Sequence, residues 1–223
     1  MKYKVIILAI LAMAQTVFAQ NKYERESRIE QEQFPSKSYG LIQEYLQNAK
    51  RVRFYQETLW EHSFEVGKVA KLIMKDAKKS KQDIDDAYTA GILHDIGKLI
   101  MLREADYYNK VFDFMEKNNS TYEQAEKEIY LASHAEIGAY LLGLWGLPDN
   151  IVEAVAFHHL PSESLDREFN ILSAVHIANS LISHKYGNIN YKNNFEPEDT
   201  RLDLNYCQKI NSIEQIEKIV QII

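Results

Sequence analysis

Apolar residues in this chain recur every three or four positions, segment after segment, and no stretch of useful length alternates with a period of two. The first spacing marks one face of a helix and the second one face of a strand. From Val52 to Lys79, for example, Leu59, Val66, Val69, Ala70, Leu72 and Ile73 fall near a 3.6-residue period. Breakers are scarce too: 8 Gly and 4 Pro in 223 residues are too few for the tight turns of a sandwich or barrel. The pattern predicts an all-α chain. A hydrophobic fraction of 46% beside 26% charged residues supports a buried core and sets aside disordered and collagen-like classes. The single cysteine, Cys207, has no partner for an intramolecular disulfide and no metal motif around it.

Punctuation along the chain divides it further. Phe34-Pro35-Ser36-Lys37-Ser38 reads as a linker, and Ser38 to Lys50 as a short amphipathic helix ahead of the longer one from Val52. Asp83 is expected to cap a helix carrying Ala87, Ala90, Ile92 and Leu93. Helices are expected over Tyr107 to Lys117 and Tyr122 to Ala132, with Ser120 and Glu123 at capping-box spacing. Ser133, with Glu136 three residues on, starts a helix that Gly146 stops, and Pro148 opens the next. Another begins at Asn170 or Ser173, Gly187 to Thr200 reads as loop, and Ile213 to Ile223 as a last helix. The expected organisation is residues 1–50 as N-terminal helices and linker, 51–190 as helical core, and 191–223 as loop and terminal helix.

The first twenty residues admit two readings. Lys2 and Lys4 precede ten apolar residues from Val5 to Ala14, with Val17-Phe18-Ala19 as a cleavage site, which fits a secretory signal peptide. An apolar run of this length is short for a membrane span and fits a buried core helix equally well.

Net charge is −6, from 26 basic and 32 acidic side chains. A chain that grips nucleic acid through its phosphates usually leans the other way, so no nucleic-acid partner is expected. Lys68, Lys71, Lys75, Lys78, Lys79 and Lys81 gather near a helix end, where cations favour the negative pole of the macrodipole, and read as a solvated face.

Chemistry concentrates in the histidines. His94 adjoins Asp95 in LHDIGK, His158 and His159 form a second couple, and His62 and His134 lie on separate expected helices. Imidazole and carboxylate together form a ligand set for iron, manganese, zinc or nickel. A carboxylate can also bridge two ions. His176 and His184, lone on apolar helices, read as satisfied core residues.

The ordered set resembles the HD superfamily of metal-dependent phosphohydrolases, and more narrowly the HDOD domain of bacterial signalling proteins. The resemblance lies in LWEHSFEVGKVAKLI (59–73), DAYTAGILHDIGKLIML (86–102), SHAEIGAYLLGLWGLPDNIVEAVAFHHLP (133–161) and ILSAVHIANSL (171–181). It implies an HD-like helical bundle, with metal ligands at His62, His94, Asp95, His134, His158 and His159, holding one divalent ion or two. Lys98 matches a lysine that meets substrate phosphate in related phosphodiesterases. The superfamily's closing aspartate falls at Asn179, a neutral and weaker ligand. The Gly-Tyr-Pro signature of the cyclic-di-GMP phosphodiesterase branch is missing after His159, where Leu160-Pro161 follows. The resemblance also implies a cytoplasmic protein and favours the core-helix reading of residues 1–19, as the remnant of an HDOD N-terminal half. Such a helix is apolar all round, so without its cover it would drive self-association. Export is the alternative if residues 1–19 are a signal peptide.

Two functions follow. One is a regulatory module that relays signals through contacts with signalling proteins, with or without a metal. The other is a metal-dependent phosphohydrolase or phosphodiesterase acting on a nucleotide or other phosphate ester.

Overall fold

The computed structural model describes residues 36–104, 106–166, 168–186 and 202–222, with the side chains of 36–55, 184–186 and 215 left aside. The chain divides into two compact units, Met1–Lys50 and Arg51–Ile223, and every side chain of the candidate site belongs to the second. The readings of residues 1–35 and of the 187–200 loop lie outside the described residues.

The described secondary structure is helical, and no strand occurs among the described residues. Helix α1 spans Ser36–Asp76, followed by α2 (Lys81–Leu93), α3 (Ile96–Met101), α4 (Tyr107–Asn118) and α5 (Tyr122–Tyr130). Then come α6 (His134–Leu144), α7 (Asp149–Phe157), a 3₁₀ turn at Pro161–Glu163, α8 (Ile171–Tyr186), α9 (Leu204–Lys209) and α10 (Ile213–Val220). The all-α expectation holds. Among the described residues, no helix is long and apolar enough to cross a membrane.

Several boundaries differ from the expected ones, each for a local reason. One continuous α1 replaces the two expected helices, because Gln47 to Arg53 holds no Gly or Pro to break it. Ser36 to Ser38 accordingly belong to the helix instead of the linker. Ser80, not Asp83, caps α2, since its hydroxyl accepts the Asp83 backbone N–H and so places Asp83 at the third helical position. Thr121 with Gln124 forms the capping box of α5, one residue later than the expected pair. At α6 the expected box of Ser133 and Glu136 is present. Gly146 leaves that helix with φ +71°, a conformation glycine adopts at no steric cost. The short α9 carries no pattern that its sequence alone made visible.

Helix α2 packs on α7 and α8, α7 on α6 and α8, and α3 on α6. Ala87, Ala90, Ile151, Ala154, Val155, Ala174, Val175 and Ala178 of these helices are fully buried, as are Val66 and Ala70 of α1. Small residues set the closest approach. A Cβ on Gly91 would stand 2.7 Å from Gly67 Cα, so α1 and α2 cross where each lacks a side chain. A second apolar cluster joins α4 and α5 through Tyr107, Val111, Met115, Tyr122 and Ala125, with Leu59, Met101 and Leu102.

Candidate metal centre

Each proposed ligand sits where a helix ends, begins or crosses another. The Gly67–Gly91 crossing brings α1 and α2 together near their polar residues, and the His62 and His94 rings lie 5.2 Å apart, centroid to centroid. His94 is the C-cap of α2 and Asp95 the N-cap of α3. That break in the helix turns two adjacent side chains inward together. Gly97 lets α3 press against the start of α6, where His134 is the first helical residue. His158 caps the C-terminus of α7, and His159 follows it.

The side chains converge. One ligand atom each from Asp95, His134, His158 and His159 lies within 4.8 Å of the others, and the same holds for His62, His94 and Asp95. Asp95 belongs to both groups. Its Oδ1 lies 3.2 Å from His134 Nε2 and 3.7 Å from His158 Nε2, while Oδ2 lies 3.4 Å from His94 Nε2. His134 Nε2 and His159 Nε2 are 3.0 Å apart. His94, His134 and His158 are 0% exposed and Asp95 2%.

Hydrogen bonds orient two of the rings. His94 donates Nδ1–H to the Gly91 carbonyl and His158 donates Nδ1–H to the Val155 carbonyl, each at 2.8 Å. A carbonyl only accepts, so each ring carries a proton on Nδ1 and turns Nε2 toward the cluster. His94 Nε2, His158 Nε2 and Asp95 Oδ1 are buried and carry no hydrogen bond. Buried polar atoms are normally satisfied. Three buried polar atoms without a hydrogen bond, gathered in one place, are what a divalent cation would satisfy, and imidazole with carboxylate suits a borderline metal. The cluster can therefore hold a metal.

The electrostatics favour metal binding at three of the rings. Burial, reinforced by neighbouring His94, pushes the His62 pKa down to about 3. Burial likewise takes His158 down to about 3 and His159 well below its ordinary value. These rings are held neutral, the form that binds metal. Burial alone would raise Asp95, but His94 and Lys98 outweigh it and hold its carboxyl well below the usual range. His134 moves the other way, up to about 9, because the Glu126 carboxylate outweighs burial.

The remaining sequence-predicted residues also have clear places. Lys98 Nζ lies 2.9 Å from Asp95 Oδ2. His62 donates Nε2–H to Asn179 Oδ1 at 3.0 Å, so Asn179 meets the cluster through His62. His176 is a core residue as expected: its Nδ1–H reaches the His158 carbonyl at 2.8 Å, and its Nε2 accepts the Asp203 N–H at 2.9 Å. The His184 side chain lies outside the description. The basic run is a paired surface face, with Lys68 on Glu65, Lys71 on Asp85 and Lys79 on the Phe169 carbonyl.

Sequence reasoning missed Glu126. It is 0% exposed and accepts both the His134 Nδ1–H (2.6 Å) and the His134 backbone N–H (2.8 Å). A signal existed. Glu126 falls at i+4 from Tyr122 on the buried face of α5, so it is a carboxylate on an apolar stripe.

Comparison with known families settles the kinship. The HDOD domain family matches residues 38–161, more than half of the chain and every ligand position from His62 to His159. This chain belongs to the HDOD domain family. Among curated proteins, the HDOD chain is 25% identical over 138 residues to an uncharacterized protein of Treponema pallidum, covering 61% of the chain and 27% of that protein. It is 27% identical over 182 residues to a ribonuclease Y of Fervidobacterium nodosum, covering 80% and 27%. A ribonuclease Y of Pseudothermotoga lettingae is 25% identical over 170 residues, covering 73% and 28%. The chain thus spans little more than a quarter of the length of these relatives. Two solved structures are similar to this chain. A candidate phosphohydrolase from Shewanella amazonensis superposes with a TM-score of 0.50 at 19% identity, over 73% of this chain and 62% of that one. An HDOD domain protein with unknown function from Geobacter sulfurreducens gives 0.49 at 23%, over 74% and 61%.

Proposed function

We propose that this HDOD chain is a regulatory module built round a buried divalent metal centre, which acts through contacts with signalling proteins in the cytoplasm. The observation that carries the metal is the set of buried polar atoms without a hydrogen bond, His94 Nε2, His158 Nε2 and Asp95 Oδ1. Iron, manganese, zinc or nickel fits the donors. Asp95, His134, His158 and His159 would hold one ion, and His62, His94 and Asp95 would hold a second, with Asp95 between them. Bound metal would tie α1, α2, α6 and α7 together.

Burial supports a regulatory role. With His94, His134 and His158 at 0% exposure, a substrate would meet the cluster only at its part-exposed members, His62 and His159. The amide of Asn179, engaged by His62, also leaves the second group without the added carboxylate that would favour a second cation.

A second reading rests on Lys98. Its ammonium is 2.9 Å from Asp95 Oδ2 and its side chain is 17% exposed, a cation between the cluster and solvent. That placement suits a phosphate ester, and so a metal-dependent phosphohydrolase or phosphodiesterase acting on a nucleotide. In that case an ion held by Asp95 and the histidines would supply Lewis acidity toward the phosphate ester, and Lys98 would face its charge. Elemental analysis of untagged protein, then a phosphatase and cyclic-dinucleotide panel with manganese or iron, separates the readings. Stoichiometric metal without turnover supports the regulatory module. Turnover lost on Lys98→Ala supports the enzyme, and protein without metal under either condition refutes the metal centre and with it the enzyme.

A further inference from the structure

We propose that Glu126 is a positioning residue: its carboxylate holds the His134 ring with a proton on Nδ1 and so aims Nε2 into the Asp95–His158–His159 cluster. The inference rests on the metal reading for its consequence and on geometry alone for the tautomer. Glu126 accepts two bonds from one residue, the ring Nδ1–H at 2.6 Å and the backbone N–H at 2.8 Å, on the same oxygen, Oε2. A carboxylate only accepts, so Nδ1 must carry the proton, whether or not Nε2 is protonated or metal-bound. Fixing both the backbone and the ring removes freedom about the bonds between them. Nε2 then stands 3.2 Å from Asp95 Oδ1 and 3.0 Å from His159 Nε2.

Glu126 is itself held. Its other oxygen accepts the Tyr107 O–H, and Tyr107 accepts the Tyr122 O–H at 3.0 Å. These tyrosines belong to the buried α4–α5 cluster, and the Thr121–Gln124 capping box anchors the start of α5. The α4–α5 pair, which contributes no ligand, thereby sets the aim of one. A metal-binding histidine whose second nitrogen is given to a carboxylate gains basicity as well as orientation, and losing that partner costs roughly 10–100-fold in metal affinity.

The test uses the full chain, zinc as the probe, calorimetric titration, and ¹H–¹⁵N spectra of its imidazoles. In the wild type, His134 is expected to show a downfield, slowly exchanging Nδ1 proton with and without zinc. Glu126→Gln should keep that proton, shifted upfield by loss of the charge, and weaken zinc binding less than Glu126→Ala. Glu126→Ala should lose the proton to solvent exchange and weaken zinc binding roughly 10–100-fold. A wild-type His134 without an Nδ1 proton overturns the proposal, as does a folded Glu126→Ala with unchanged signal and affinity. If Glu126→Ala does not fold, Glu126→Gln decides, and an unmoved Nδ1 resonance overturns the inference. Should the wild type bind no zinc, the metal reading fails, while the Nδ1 proton still decides the role of Glu126.

Discussion

Gly97→Ala is expected to be among the most damaging single-methyl changes in this protein. A Cβ at Gly97 would overlap the His134 carbonyl oxygen and stand 2.8 Å from its carbonyl carbon and 3.0 Å from Gly138 N. All three atoms are backbone, so no rotamer change relieves the contact. Carbon atoms rest at about 3.5–4.0 Å, and α3 and α6 would have to separate by roughly 0.7 Å or more. Overpacking costs about 1–3 kcal/mol, and a backbone-on-backbone clash belongs at about 3 kcal/mol. For a chain of this size that lowers Tm by roughly 6–12 °C. The same displacement moves His134 away from Asp95, 3.2 Å distant in the wild type, so zinc affinity should fall together with stability. The control is Gly143→Ala, whose Cβ meets nothing within 4 Å and which should stabilise α6 by about 0.5–1 kcal/mol. Calorimetric melting and zinc titration check both variants. A Gly97→Ala protein within about 0.5 kcal/mol of wild type, the range of ordinary surface changes, would refute the claim that this glycine sets the α3–α6 approach.

Asn179→Asp is expected to tighten metal binding about tenfold or more, because two unit charges about 4 Å apart interact by roughly 4 kcal/mol at an effective dielectric of 20 and a divalent cation doubles that; unchanged affinity would remove Asn179 from any role at the metal. Stripping metal with a chelator should lower Tm by roughly 5–11 °C if the protein had been held near 100 times its Kd, a stabilisation of about 2.7 kcal/mol, and a melting curve indifferent to chelation would count against the centre. The metal-free protein should lose stability as pH falls from about 6.5, the unfolded histidine value, toward about 3, where buried His158 titrates. In that window the unfolded chain binds a proton that the folded one excludes. His134, raised to about 9, contributes stability that is complete below 6.5 and lost only as pH rises through 9, so it leaves the acid limb intact. A denaturation free energy equal at pH 7 and pH 5 would contradict this. Cys207, 0% exposed with its thiol pushed up by burial, should resist a thiol reagent at pH 8 until the chain is unfolded; rapid labelling of the folded protein would contradict its placement.

Helical class and the residues of the candidate cluster were both legible along the chain. A 3.6-residue period with few glycines and prolines leaves little besides helices, because periodicity and breakers are local properties of consecutive residues. His62, His94, Asp95, His134, His158 and His159 stood out by type and pairing, and the fold gathers them into two groups that share Asp95. The Ser133–Glu136 cap was readable too, since its geometry involves only four adjacent residues. The Ser80 and Thr121 caps were missed by a few residues, because several hydroxyl and carboxyl side chains compete at each helix start and packing selects one.

What tertiary structure alone decided are relations between residues far apart in sequence. His62 and Asn179 are separated by 117 positions, and nothing local reveals that the amide accepts a hydrogen bond from that imidazole. The Gly67–Gly91 and Gly97–His134 approaches exist only once helices cross, yet they set the distances among the ligands. Glu126 lies eight residues before His134, and although it falls on an apolar stripe, only packing reveals that its carboxylate meets the His134 ring and Tyr107. A sequence determines which groups are available and on which helical face they fall. Which lone pairs point at one another depends on how the helices pack, a sum of many weak apolar contacts that no short motif encodes.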